Sequence, residues 1–179
     1  MLAVAIILII LFLLFITYNG LVTARVRVSE AFSQVDVQLK RRTDLIPNIV
    51  ETVKGYAKHE RELFEKVTKL RSDLVSAKSV SEKSAANNQL SNALKSIFAV
   101  AENYPDLKAS QNFLELQEEL SDTENKIAYA RQFYNSVVMD YNTKLKVFPN
   151  VLFVNALNFK PADFFQTPEE EKQAVKVSF

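Results

Sequence analysis

Met1-Leu-Ala-Val-Ala-Ile-Ile-Leu-Ile-Ile-Leu-Phe-Leu-Leu-Phe-Ile16, followed by Thr17-Tyr18-Asn19-Gly20-Leu21-Val22, is the stretch that decides the fold. From Met1 to Ile16 the side chains are all apolar. With the mildly polar residues after them the run is about 20 residues, the length of helix that crosses a bilayer's hydrocarbon layer. Tyr18 stands where an interfacial aromatic belongs. A cleaved signal peptide is the rival reading, and Val22-Thr23-Ala24 would pass as a cleavage sequence. Such a peptide has a basic start, however, and no Lys or Arg precedes Arg25. The segment is therefore expected to be a retained transmembrane anchor. Arg25, Arg27, Lys40, Arg41 and Arg42 all follow the span. The positive-inside rule then favours an outside N-terminus and a cytoplasmic remainder, with the opposite topology left open.

Outward from the span, Val28, Ala31, Phe32, Val35 and Leu39 repeat at helical spacing, with no Gly or Pro between Val22 and Pro47. The helix is expected to leave the membrane and continue. At Pro47 two readings stand: a restart capped by Thr43 or Asp44, or a kink in one helix. Beyond it, Ile46, Ile49, Val50, Val53, Tyr56, Ala57, Leu63, Phe64, Val67, Leu70 and Leu74 predict one long stripe, weakened by Gly55. Ser76–Asn88, rich in Ser, Lys and Asn, is expected to be a loop. Leu90, Leu94, Ile97, Phe98, Ala101 and Tyr104 predict a further helix, ended by Pro105. From Phe113 to Leu145 neither Gly nor Pro occurs, so roughly 35 residues read as one helix, closed by Pro149. The remainder is aromatic and irregular, with Phe148, Phe153, Phe159, Phe164 and Phe165. Thr167–Lys172 reads as acidic and solvated, and Val175–Phe179 as a short strand or extended arm.

The expected fold is all-α: an N-terminal transmembrane helix (1–24) continuing into a three- to four-helix antiparallel bundle with coiled-coil-like packing (25–147), then an aromatic-rich C-terminal tail (148–179). About 155 residues outside the anchor suit one domain.

Composition excludes several chemistries. The formal charge is +1, without the basic field of a nucleic-acid binder. There is no Cys, hence no disulfide, thiolate nucleophile or Cys-ligated metal. With only Gly20 and Gly55, no phosphate-cradling loop can be built. His59 is the only His, and His59-Glu60-Arg61-Glu62-Leu63 lacks the second His of a zinc-protease helix. Glu115, Glu118, Glu119, Asp122 and Glu124 form the densest carboxylate cluster, but no Glu-x-x-His pair accompanies them, so a solvated helix face is the better reading. A site improvised from His59, Glu60, Glu102 and Glu124 is the weakest of the functional readings. No cofactor, small-molecule substrate or nucleic acid is expected.

Other polar residues sit where an amphipathic helix has no need of them. Asp36, Arg42, Asp44 and Asn48 lie in one stretch, Glu102 and Asn103 in a second, and Glu124, Asn125, Arg131 and Asn135 in a third, which extends to Tyr134 and Tyr141-Asn142. Long helices would bring them together as a structural hydrogen-bond network that fixes register.

At these residues the sequence resembles the LemA family of bacterial membrane proteins. The resemblance is carried by Ala31-Phe32-Ser33-Gln34-Val35-Asp36-Val37-Gln38-Leu39-Lys40-Arg41-Arg42 with Asp44-Leu45-Ile46-Pro47-Asn48, by Thr52-Val53-Lys54-Gly55-Tyr56-Ala57, by Glu102-Asn103-Tyr104-Pro105-Asp106-Leu107-Lys108-Ala109, and by Thr123-Glu124-Asn125 with Ala130-Arg131 and Tyr134-Asn135. It implies a membrane-anchored helical bundle with no established enzymatic activity, in the bacterial inner membrane. In some bacteria the family's gene neighbours one for a membrane-bound heat-shock zinc protease, an associational hint at a partner. Many members carry a lipoprotein Cys near the anchor. This chain has none, so attachment falls to the span. Val151–Asn158 is more apolar than the resemblance leads one to expect.

The functional expectation is a non-enzymatic, single-pass homo-oligomeric scaffold in contact with membrane lipid. Phe148, Phe153, Phe159, Phe164 and Phe165 are its possible interface, since exposed apolar area marks contact surfaces. The alternative is an adaptor or regulator of a membrane-bound zinc metalloprotease or other membrane stress-response machinery. Its contact surfaces would be the Ser76–Asn88 loop and the basic run Lys40-Arg41-Arg42.

Overall fold

The apolar run does become helix, and the helix does not stop where the apolar run stops. The computed structural model describes residues 2–166, and in it α1 runs from Leu2 to Lys54. It is followed by α2 (Arg61–Ser76), α3 (Val80–Ala101), the single turn α4 (Pro105–Lys108) and α5 (Gln111–Lys146), then a 3-10 turn at Asn150–Leu152. Among the described residues there is no strand, and the all-α expectation holds. The expectations for Thr167–Lys172 and Val175–Phe179 fall outside the described residues.

Pro47 lies inside α1, so of the two readings at that position the unbroken helix is the one that forms. Proline has no N–H to give the carbonyl of Thr43, one turn earlier. Arg71 of α2 fills the gap: its Nε donates to the Thr43 carbonyl at 2.7 Å.

The stripe expected to run from Ile46 to Leu74 is two helices, not one. α1 ends at Lys54, Gly55 follows, and α2 begins at Arg61. The apolar register survives the break, with Val53, Ala57 and Phe64 all buried, which is why periodicity concealed it. The expected loop Ser76–Asn88 is mostly helix. Ser79 caps α3 through its side chain, which accepts from Glu82 N–H, while the Glu82 carboxylate accepts from Ser79 N–H. This reciprocal box starts a helix well before its first large apolar residue. Small residues, Ser84 and Ala86, face inward there. Pro105 does not end α3, which stops at Ala101; it opens α4 from the first helical position, where its missing N–H costs nothing. The long helix from Phe113 to Leu145 forms as expected, within the 36 residues of α5.

The chain divides into two compact units, with boundaries inside α1 and α5. In the unit of Asp36–Tyr129 and the segment from Phe165, α2 packs on α3 and Phe98 meets the Phe113 ring at 6.0 Å. Leu39, Ile46, Ile49, Val53, Leu90, Ile97, Leu107 and Leu120 are each buried to 3% exposure or less. Each such side chain stabilises by about 1.5–3 kcal/mol relative to an exposed one.

The other unit joins Met1–Val35 with Ala130–Phe164. Phe32 meets Tyr134 at 5.4 Å, and Leu21 and Ala24 share a core with Tyr141 and Leu145. As α1 is read backwards towards the apolar run, its partners on α5 move forwards, so these segments are antiparallel. Residues Leu2 to Ile16 are mostly exposed: α1 is long and apolar enough to cross a membrane, and almost none of its apolar window is buried.

Candidate functional site

Arg42 is the residue that a simple amphipathic helix would not bury, yet its side chain is 1% exposed. Its Nη1 donates to Asn87 Oδ1 on α3 at 2.8 Å. Its Nη2 donates to Glu124 Oε1 on α5 at 3.3 Å. Ser91 Oγ donates to the same carboxylate oxygen at 3.3 Å. Burial lowers the pKa of the guanidinium from its ordinary value, and the charge and hydrogen bond of Glu124 work against that shift. One side chain thus ties together three helices inside one unit. Charge-assisted hydrogen bonds of this kind fix register more than they add stability.

The other residues of the anticipated network scatter. Asp36 pairs with Lys83 of α3. Asp44 pairs only one turn back, with Lys40 at 2.9 Å. Asn48, Glu102, Asn103 and Asn125 are exposed. Arg131 and Asn135 are half-buried and belong, with Tyr134, to the other unit. The basic run offered as a partner surface is largely consumed within the chain. Arg42 is buried, and Arg41 reaches Glu119 at 3.2 Å and Asp122 at 3.7 Å. The acidic face of α5 that read as solvated therefore pairs, in part, with α1. Asn87 and Lys83 were missed because they lie in the stretch read as loop.

The aromatic tail divides as well. Phe159 and Phe165 are buried within the chain, at 7% and 1% exposure, and Phe153 is half-buried. Phe148 and Phe164 remain exposed. Phe159 enters the core of Leu21, Ala24, Tyr141 and Leu145, and its ring meets Tyr18 at 6.1 Å. Three polar side chains of α5 bind the tail's backbone. The Tyr134 hydroxyl donates to the Asp163 carbonyl at 2.8 Å, and the Tyr141 hydroxyl to the Lys160 carbonyl at 2.9 Å. Asn142 gives Nδ2–H to the Ala162 carbonyl and takes Ala162 N–H on Oδ1, both at 2.9 Å. Burial pushes the Tyr134 phenol up to about 12 and raises Tyr141 as well, where Arg25 works against the shift. The spacing of Tyr134, Tyr141 and Asn142 on one helix was visible in the sequence, but their backbone partners were not.

Among the described residues no group of three or more His, Cys, Asp and Glu is placed to hold a metal. The residues considered for an improvised active site, Glu102 and Glu124 with His59 and Glu60, lie on different elements: Glu124 is engaged by Arg42, and Glu102 is exposed on the turn after α3. An open groove of about 820 Å³ runs between the end of α1 and α2, lined by Lys54, Lys58, Arg61, Lys69, Phe64 and Glu65 among others. Arg61 is paired there with Glu65 at 2.7 Å.

Comparison with known proteins finds a matching family model and several relatives. A family model described as the LemA family matches residues 31–179. Protein LemA of Metamycoplasma hominis is 29% identical over 164 residues, which cover 89% of this chain and 74% of that protein. Magnetosome protein MamQ 2 of Paramagnetospirillum magneticum is 25% identical, over 86% of this chain and 66% of its own length. Magnetosome protein MamQ of Magnetospirillum gryphiswaldense is 23% identical, over 92% of this chain and 71% of its own. None of these names is that of an enzyme. With the match taking in Arg42, Asn87 and Glu124 as well as the tail, the chain belongs to the LemA family.

Proposed function

We propose that this protein is a non-enzymatic, single-pass membrane scaffold that self-associates in the plane of a bacterial inner membrane, its bulk on the cytoplasmic side. The observation that carries this reading is α1. An exposed apolar segment and the folded unit of Met1–Val35 and Ala130–Phe164 share the helix α1. Such a connection transmits position and orientation from the bilayer. The relatives named as magnetosome proteins support a membrane setting.

Self-association has a candidate surface. Phe133 on α5 is 50% exposed. Phe164 is 46% exposed beside Asp163, whose carbonyl holds the neighbouring Tyr134. Exposed aromatic groups of this kind are enriched where proteins meet.

The test is native mass spectrometry of the full-length protein, released gently from its own membrane. The expected result is a uniform multiple of the 20.4 kDa chain that falls to monomer in a Phe133→Glu, Phe164→Glu variant. A monomeric native protein overturns the scaffold. A stoichiometric complex with a second membrane protein overturns it too, in favour of the adaptor reading.

A further inference from the structure

Leaving α5, the chain exposes an apolar surface that none of the described residues covers. Val147, Phe148, Val151 and Leu152 stand 45%, 79%, 48% and 64% exposed. They sit on the turn after α5 and on the 3-10 turn, both tightly made: Val151 N–H reaches the Val147 carbonyl at 3.0 Å, and Asn150 Nδ2 reaches the Lys144 carbonyl at 2.9 Å. A fixed turn that presents four large apolar groups outward is more than the scattered exposure normal for a surface.

Its level along the unit follows from the antiparallel pairing. Phe32 meets Tyr134, and Leu21 shares a core with Tyr141 and Leu145. Each residue forward on α5 therefore approaches the apolar end of α1, by about 1.5 Å per residue. Phe148, beyond Leu145, comes level with the residues before Leu21, where the polar end of the apolar run lies at Thr17 and Tyr18. Phe159, farther along the tail, already touches Tyr18. The basic residues nearby, Arg25 and Arg27 on α1, Lys144 and Lys146 on α5 and Lys160 on the tail, are all exposed. Apolar groups flanked by long cations that can reach headgroups match the acyl–headgroup boundary of an anionic bilayer.

We propose that the turn Val147–Leu152 is a second membrane contact, dipping into the bilayer interface beside the span. The contact rests on the reading of the apolar run of α1 as the span. It makes the unit of Met1–Val35 and Ala130–Phe164 sit on the bilayer at two points, the span and the turn, which restricts rotation and tilt about α1. Beyond the turn, the strap from Phe159 to Ala162 is held back on α5 by Tyr141 and Asn142, so the chain is anchored on both sides of it.

The chain contains no Trp, so one introduced Trp reports its own surroundings. Full-length Phe148→Trp, Leu152→Trp, Phe12→Trp and Val75→Trp variants would be placed one copy per nanodisc of phosphatidylcholine and phosphatidylglycerol. Their emission would be compared with and without acyl chains brominated near the ester end, and with iodide in the water. Circular dichroism confirms that each variant keeps its helix content, and the two turn reporters back each other up. The expected result is blue-shifted emission, loss of intensity with brominated lipid and protection from iodide for Phe148→Trp and Leu152→Trp, with Val75→Trp showing the reverse. If both turn reporters behave like Val75→Trp while Phe12→Trp is quenched by lipid, the span stands and the second contact is wrong. If Phe12→Trp also escapes lipid, the span itself fails, and the second contact with it. If the turn reporters are shielded from iodide yet not quenched by brominated lipid, protein covers the turn and the proposal is overturned.

Discussion

At the residue scale, Arg42 shows why a buried charge is kept. Its guanidinium is inside, two of its nitrogens are matched, and its Nε has no acceptor among the described residues. Glu124, by contrast, is half in water, at 51% side-chain exposure. The two partners therefore should not weigh equally. Arg42→Ala opens a cavity and strands the buried Asn87 carbonyl, at a cost of about 3 kcal/mol. Glu124→Gln keeps an acceptor oxygen and loses only a screened charge, so it costs less than about 1 kcal/mol. Chemical denaturation of both variants in detergent checks the ranking. Equal losses would mean that the Arg42–Glu124 charge pair, rather than the buried hydrogen bond to Asn87, is what matters. A second residue-scale point concerns Ser79. Its exposed hydroxyl starts α3, and Ser-x-x-Glu at 79–82 was present in the sequence as a start signal that its polar surroundings obscured.

At the scale of elements, Pro47 and Arg71 are one device. The proline leaves the Thr43 carbonyl without its helical donor, and Arg71 takes it at 2.7 Å, so a defect in α1 becomes the point where α2 is attached. Arg71→Ala should cost about 1–2 kcal/mol in the natural chain. In a Pro47→Ala background the new N–H can bond to Thr43, and the same substitution should cost less than about 0.5 kcal/mol. The double-mutant cycle is read from urea midpoints. An Arg71→Ala cost that is unchanged by Pro47→Ala would separate the two residues and refute the device.

For the whole molecule, the strap from Phe159 to Asp163 couples the tail's fold to two phenols. Tyr134 is buried, its pKa is pushed up to about 12, and Tyr141 is raised in the same direction. Both must stay protonated to donate to the tail's carbonyls. An acid whose pKa is higher in the folded state holds its proton longer there, so the unfolded chain binds fewer protons above pH ~10 and stability falls as pH rises. The contribution is fully present below about 10 and is lost progressively towards about 12. Thermal unfolding across this range, in the natural chain and in Tyr134→Phe, Tyr141→Phe, checks it. The double variant should be less stable at neutral pH and have a shallower alkaline slope. Parallel slopes would show that other groups govern the alkaline limit.

How much of this was legible beforehand depends on the range of the signal. The apolar run and the single helix of α5 follow from composition and short-range periodicity, which the sequence carries locally. So does the family resemblance, in strings such as Glu102-Asn103-Tyr104-Pro105. The break after Lys54 was not legible, because Val53, Ala57 and Phe64 keep the same apolar register on both sides of it. Nor was the early start of α3, where small residues rather than large ones face the core. Composition and local periodicity are enough to make the chain helical, to give it one segment fit to span a bilayer and to load its tail with aromatic residues. Which partner each polar and aromatic residue takes was settled by folding: Asn87 for Arg42, the Lys160 carbonyl for Tyr141, Leu21 and Tyr18 for Phe159. The physical reason is that hydrophobic patterning is a property of neighbours along the chain, whereas a buried donor can be satisfied only by an acceptor that folding brings from far away.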